Sequence, residues 1–131
     1  MTCRKYLLGL ALALLVGLCG CAQQQEPRFQ GANWIEASID TEKAKLLQEE
    51  VDNGHRPGLL DPRQVAYEFL TRQLGIPGSK VQEMKEIKET QEGKILQVSL
   101  SDGKMLQLYL VQPVRKEPTG IWQVKKYRFL E

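Results

Sequence analysis

An eight-residue pattern that occurs twice, ten residues apart, limits the folds open to this chain more than any other feature. GKILQVSL begins at Gly93 and GKMLQLYL begins at Gly103, and apolar residues alternate with other residues in the second half of each copy. Alternation with a period of two is typical of a β-strand that is buried on one face. The repeat therefore predicts an antiparallel hairpin, and two copies are too few for a solenoid.

The register of this hairpin follows from the requirement that the leucines of both strands lie on one buried face. Leu96 and Leu108 can share that face only if the numbers of paired residues add to an even number. A two-residue turn would give an odd sum. We therefore predict a three-residue loop that ends at a left-handed Gly103, with Val98 opposite Leu106 and Leu96 opposite Leu108.

Two further strands flank the hairpin. Residues 82–90 have an irregular apolar pattern, which is typical of an edge strand or a bulge. Residues 121–129 change parity along their length, and a bulge near Lys125 and Lys126 would bring their apolar residues to one face. The second half of the chain thus predicts a four-stranded antiparallel meander.

Two helices are predicted before the strands. Asp40 or Thr41 can cap a helix that ends near Asn53, with Gly54 at the position after the cap. Its thin apolar face consists of Ala44, Leu47 and Val51. Before it, Trp34 stands in a short mixed stretch and is expected to anchor that stretch on the domain.

The second helix has clearer boundaries. Asp61 is a suitable N-cap, Pro62 suits the first helical position, and Gln64 gives a variant capping box. Gly75 ends the helix. Its buried stripe is expected to consist of Val65, Ala66, Phe69, Leu70 and Leu74.

The predicted fold class is α+β, with one or two N-terminal helices packed on a four-stranded antiparallel meander. This order resembles the cystatin-like and NTF2-like folds of small exported bacterial proteins. Gly120-Ile121-Trp122-Gln123-Val124 is similar to the G-x-W-x-V ending of many such domains. The resemblance covers residues 61–129 and adds little about function, because this architecture carries many activities.

The first twenty residues have the pattern of an export signal. Arg4 and Lys5 form a short basic start, and residues 7–18 form an apolar run. The run suits a signal peptide and is shorter than the roughly 20 residues of a membrane-spanning helix. The alternatives are a buried N-terminal helix, an ordinary cleaved signal and a short anchor.

The end of this run resembles the lipobox of bacterial lipoproteins. Leu18 takes the apolar position, Cys19 the variable one and Gly20 the small one before Cys21, which would receive the lipid. A lipidated Cys19 would place Leu18 where the signal peptidase needs a small side chain. We therefore predict cleavage after residue 20 and lipidation of Cys21.

The resemblance implies a location and a domain organisation. A diacylglyceryl group on Cys21 would hold the protein on the extracytoplasmic side of the cell membrane, since two acyl chains anchor stably. Residues 21–32 would form a polar tether and residues 33–131 a single domain. Ala22 is not the Asp that marks retention in the inner membrane, so the outer membrane is also open to the protein if the cell has two membranes.

Charge and cysteine content exclude several classes of partner and site. The chain has 18 basic and 16 acidic residues, and Arg4 and Lys5 lie before Cys21 with no acidic residue beside them. The part from Cys21 onward is therefore formally neutral, which gives no electrostatic case for nucleic acid. The three cysteines end at Cys21, so the predicted domain offers no disulfide, thiolate metal site or cysteine nucleophile.

No catalytic, metal or cofactor motif occurs in the sequence. The single histidine, His55, lies in a loop without the partners of a triad or a metal site; it either lies at the surface or contacts an anionic partner beside Arg56. The acidic residues Glu49, Glu50 and Asp52 are expected to form a solvated helix face. We expect no cofactor and no metal.

Two surfaces could bind a partner. The second face of the hairpin carries Gln97, Ser99, Gln107 and Tyr109, which either contact a ligand or form a solvated sheet face. A basic C-terminal region could contact anionic lipid headgroups or wall polymers, or form a solvated strand end; it contains Arg115, Lys116, Lys125, Lys126 and Arg128.

The resulting functional hypothesis is a lipid-anchored lipoprotein of the cell envelope that acts as a non-enzymatic binding or accessory module. Its partner would be an envelope protein or a wall polymer. A small hydrolase or isomerase with an NTF2-like pocket is one alternative. A structural spacer without a specific ligand is another.

Overall fold

A computed structural model describes residues 33–130, which form two α-helices and a five-stranded antiparallel sheet. The α+β class is therefore confirmed. The predictions for the signal, the tether and Cys21 lie outside the described residues. Among residues 33–130, no helix is long and apolar enough to cross a membrane.

The sheet has one strand more than the sequence predicts. The extra strand is β1, Ile35–Glu36, and it pairs with Tyr127 and Lys126 at one edge. The other strands are β2 Val81–Glu89, β3 Gly93–Leu100, β4 Met105–Val111 and β5 Gln123–Leu130, in the order β1-β5-β4-β3-β2. The four-strand prediction was wrong because a strand of two residues is too short to show a period.

The hairpin has the predicted register. Val98 lies opposite Leu106 and Leu96 opposite Leu108. The loop closes with the Leu100 amide donating to the Lys104 carbonyl, and Gly103 has a φ of +87°. The parity argument is therefore confirmed, because the three-residue loop gives the even sum that places both sets of leucines on the buried face.

Both predicted irregularities are also present. On β5, Val124 and Lys126 oppose the consecutive residues Leu110 and Tyr109, so Lys125 is the extra residue of a bulge. Strand β2 has register shifts near both ends and lies at the sheet edge. Bulges at an edge strand hinder pairing with another chain.

Helix α1, Thr41–Asp52, has the predicted boundaries. The Asp40 carboxylate accepts hydrogen bonds from two amides of the first turn. At the other end, the His55 amide donates to the Glu50 carbonyl, and Gly54 has a φ of +83°. These contacts match a glycine-terminated helix end, in which the left-handed residue lets the chain turn back on the last carbonyls.

Helix α2, Pro62–Glu68, begins at the predicted cap, since the Asp61 carboxylate accepts from the Arg63 amide. It continues as a π-helical turn, Phe69–Gln73. Gln64 departs from the predicted capping box, because its side-chain amide donates to Glu68 at 3.4 Å, one turn further along the helix.

The two helices contribute unequally to the core. Helix α2 packs on the sheet through Val65, Ala66 and Leu70, against the buried leucines of β3 and β4. On α1 only Ala44 and Gln48 are buried, and neither belongs to this core. The aliphatic layer under α2 therefore holds the fold, while α1 depends on other contacts.

Candidate functional site

The predicted polar face of the hairpin exists, and two of its four side chains, Gln97 and Gln107, are hydrogen-bonded to each other. Gln97, Ser99, Gln107 and Tyr109 occupy the alternate positions, opposite in parity to the buried leucines. Gln107 is nevertheless only 1% exposed, while the other three are partly exposed. Gln107 thus belongs to the packing of this face, and a ligand on the face would reach the other three residues.

Gln107 is buried because it links two other polar side chains. Its Oε1 accepts from Nε and Nη2 of Arg128 at 2.9 and 2.7 Å, and its Nε2 donates to Gln97 Oε1 at 3.1 Å. Arg128 is itself 4% exposed, and this burial lowers the pKa of its guanidinium. The indole of Trp34 covers it, with the ring centroid 4.3 Å from Cζ, so Trp34 anchors its segment as predicted.

A second cation lies between two aromatic rings on the same face. Lys126 Nζ is 5.1 Å from the Trp34 ring centroid and 5.3 Å from that of Tyr109. Contacts of this kind between a cation and a ring stabilise both partners modestly. The face is therefore partly filled by the protein's own side chains.

His55 is not brought to this face. It is exposed in the connector between α1 and α2, whereas Lys126 and Trp34 contact the hairpin face. Its neighbour Arg56 lines a cleft, together with Val65 and Phe69 of the second helical segment. The structure thus separates His55 from the four hairpin residues.

The cleft beside Arg56 has a volume of about 730 Å³ and lies between α1, α2 and the start of β5. No sequence pattern pointed to it, since its walls come from segments far apart in the chain. Polar atoms form more of its lining than apolar ones. Its apolar side chains are Ala37, Ile39, Leu47, Leu59, Val65, Phe69, Trp122 and Val124. The volume is within the range of ligand sites.

Charged side chains stand around the cleft. Three are cations, Lys43, Arg56 and Arg72, and two are acids, Asp40 and Glu68. The Asp40 carboxylate already accepts two helix amides, and Arg56 lies 3.5 Å from Glu50. With Glu50 counted, three cations face three acids, and Lys43 and Arg72 are the two cations that form no salt bridge with a described residue.

The backbone conformation also singles out this cleft. Among the described residues, Ser38 and Arg56 are the two non-glycine residues with positive φ, at +54° and +51°. Both line the cleft. Left-handed residues other than glycine are strained, and such strain often collects at ligand sites.

Hydrogen bonds hold α1 in place as one wall of the cleft. The buried Gln48 donates to the Thr119 carbonyl and accepts from the Ile121 amide. Asp52 forms two hydrogen bonds with Arg115, at 3.1 and 3.0 Å, and these hold the pKa of the Asp52 carboxyl below its usual value. The polar contacts connect α1 to the loop before β5.

The acidic cluster at the end of α1 is therefore more than the solvated face that the sequence suggested. Arg56 compensates Glu50, and Arg115 compensates Asp52. Both acids lie near the C-terminal end of the helix, where the helix dipole disfavours negative charge. The two arginines offset that effect from outside the helix.

Among residues 33–130, no group of three potential ligands could hold a metal ion. Comparisons of the chain with protein-family models, with curated proteins and with solved structures gave no match.

Proposed function

We propose that the protein is a lipid-anchored lipoprotein of the cell envelope whose domain is a non-enzymatic binding module. The lipobox pattern that ends at Cys21 supports the anchor. The observation that carries the binding role is the cleft, which combines a mixed apolar and charged lining with strained residues at Ser38 and Arg56.

The residues around the cleft favour an anionic ligand with an apolar part. Lys43 and Arg72 stand on the rim near the aromatic side chains of Phe69 and Trp122. Cations can orient an acidic group while the aromatic side chains bury the remainder of the ligand. An acidic group of an envelope protein or wall polymer would meet this requirement.

The fold likeness and the alternatives have less support. We propose a cystatin-like or NTF2-like arrangement from the order of elements. In the enzyme alternative the pocket would be enclosed between helix and sheet, but Ala66, Leu70 and Leu108 are packed there and fully buried, and the cleft borders this packed layer between α1, α2 and β5. This packing favours the binding module over a small hydrolase or isomerase.

An anionic aromatic dye, anilinonaphthalene sulfonate, tests the cleft. We expect saturable binding to the folded protein, with energy transfer from Trp122, and binding about fivefold weaker in Lys43→Glu, because an exposed charge contributes up to about 1 kcal/mol. Lys45→Glu on the same helix is the control, since Lys45 does not line the cleft. Equal weakening by both variants, or no saturable binding, would leave the spacer hypothesis in place of the binding module.

The anchor has its own test. Cys21→Ala should abolish labelling with a radioactive fatty acid and block removal of the signal, because the thiol that receives the lipid is missing. Cys19→Ala should leave both intact. Loss of labelling in Cys19→Ala alone would move the lipid to the other cysteine.

A further inference from the structure

An exposed apolar patch lies at the β1–β5 edge of the sheet. Ile35 is 46% exposed and Phe129 is 43% exposed. Tyr127 pairs with Ile35, and its ring lies 6.3 Å from that of Phe129. We call Ile35, Tyr127 and Phe129 the edge patch; Trp34 lies on the opposite face of the sheet, over Arg128. Exposed apolar groups that adjoin one another usually mark a contact surface.

The two edges of the sheet differ in charge. Because Arg128 is buried, the accessible charges of β5 and β1 are those of Lys125, Lys126 and one acid, Glu36. Strand β2, at the opposite edge, contains three glutamates and two lysines. Lys125 is exposed at the bulge, where it can meet a negatively charged surface. The β1–β5 edge, which carries the edge patch, is therefore the more basic edge of the sheet.

Among the described elements, strand β1 at this edge lies nearest to Cys21 in the sequence. Residue 33 follows Cys21 by 12 positions. Twelve residues span at most about 40 Å even when fully extended. A lipid on Cys21 would thus keep the edge patch within reach of the bilayer.

We propose that the edge patch docks on the bilayer surface and contacts anionic lipid headgroups; this proposal rests on the lipid anchor proposed above. Aromatic side chains with neighbouring lysines are the composition that proteins use at the interface of membranes. The anchored lipid makes the contact intramolecular, so a weak patch suffices. The opposite edge, β2, points away from the bilayer.

The position of the domain can be measured on the lipidated full-length mature protein. A fluorophore is placed on Glu36→Cys at the edge patch or on Glu83→Cys at the far edge, since the sequence after Cys21 has no cysteine. Each substitution removes one exposed acidic side chain. Five strands place the labels about 19 Å apart across the sheet. The vesicles contain 70% phosphatidylcholine and 30% phosphatidylglycerol, with a quencher on a fraction of the headgroups.

We expect quenching at position 36 to exceed that at position 83 at least threefold. Ile35→Ser with Phe129→Ser should remove the difference, while Ile87→Ser on β2, also an exposed apolar residue, should not. Lys125→Glu should lower the docked fraction about fivefold or more, because one basic residue near an anionic surface contributes about that factor. Lys88→Glu on β2 is its control.

Equal quenching at the two positions in lipidated protein would overturn the docking proposal and leave the anchor intact. The docking proposal would also be overturned if energy transfer between labelled molecules rose with protein density while the lipid quencher had no effect. That result would show that the edge patch binds a second copy of the protein. Mass spectrometry of the Cys21 peptide, made on the same sample, reports the anchor separately. An unlipidated Cys21 would refute the anchor and the docking that rests on it. Circular dichroism on every variant excludes unfolding as the cause of lost quenching.

Discussion

The side chain of Gln48 decides how firmly α1 is held, and its removal is the sharpest test of the fold. Gln48 is 2% exposed. Its Oε1 accepts from the Ile121 amide at 2.9 Å, and its Nε2 donates to the Thr119 carbonyl at 2.8 Å and to Asp52 at 3.1 Å. Gln48→Ala removes all three contacts and places nothing in their stead.

The expected loss can be worked out from these contacts. Ile121 is fully buried, so its amide would lose its partner without access to water, at a cost of about 1–3 kcal/mol. Thr119 is exposed, so water can replace the hydrogen bond to its carbonyl at a cost of a few tenths of a kcal/mol. The lost methylene contributes about 0.8 kcal/mol. The free energy of unfolding should therefore fall by about 2–4 kcal/mol.

Urea-induced unfolding, followed by circular dichroism, measures this loss. Leu46→Ala is the control on the same helix, because Leu46 is 62% exposed, and it should change the free energy of unfolding by less than about 0.5 kcal/mol. Gln48→Glu should destabilise the protein at least as much as Gln48→Ala, because the buried carboxylate would face the Asp52 carboxylate and the Thr119 carbonyl without a proton to donate. A loss below about 1 kcal/mol for Gln48→Ala would refute the view that these hydrogen bonds hold α1.

Three further predictions concern other parts of the domain. Gln107→Ala should lower the free energy of unfolding by about 2–4 kcal/mol in urea, because Arg128 loses an acceptor of two buried hydrogen bonds; Gln107→Glu, which retains the acceptor, should lose less. Arg115→Met should raise the pKa of Asp52 toward its usual value in a carboxyl NMR titration. The pKa of Asp52 is lowered in the folded state, so the Asp52–Arg115 pair stabilises the protein fully above the unfolded pKa of Asp52. This stabilisation is lost as the pH falls through the folded pKa. The wild type should therefore lose more stability below about pH 4 than Arg115→Met. Gly103→Ala should cost about 1–2 kcal/mol, since φ is +87° there; no loss in thermal unfolding would contradict a left-handed loop residue.

Much of the fold could be predicted because it rests on short-range rules. The parity of the leucines determined the pairing of Val98 with Leu106, and Asp40 and Asp61 identified the helix starts. Strand β1 escaped prediction, because its pairing partner lies about ninety residues away and two residues show no period.

The site was harder to predict than the fold. The hairpin face was identified from Gln97, Ser99, Gln107 and Tyr109, but the burial of Gln107 depends on Arg128, which is 21 residues further along the chain. The cleft could not be foreseen, because Ser38, Arg56 and Trp122 meet only after the helices have packed.

The sequence by itself determined the α+β class, the hairpin register, the helix boundaries and the prediction of a lipid anchor at Cys21, since each depends on residues that are neighbours in the chain. Only the tertiary structure decided that α1 is held through Gln48, 73 residues from its partner Ile121. The same holds for the cleft and the edge patch. Exposed apolar edges, and polar contacts between segments that are distant in the sequence, arise only when the chain packs. Local sequence patterns carry no signal for them.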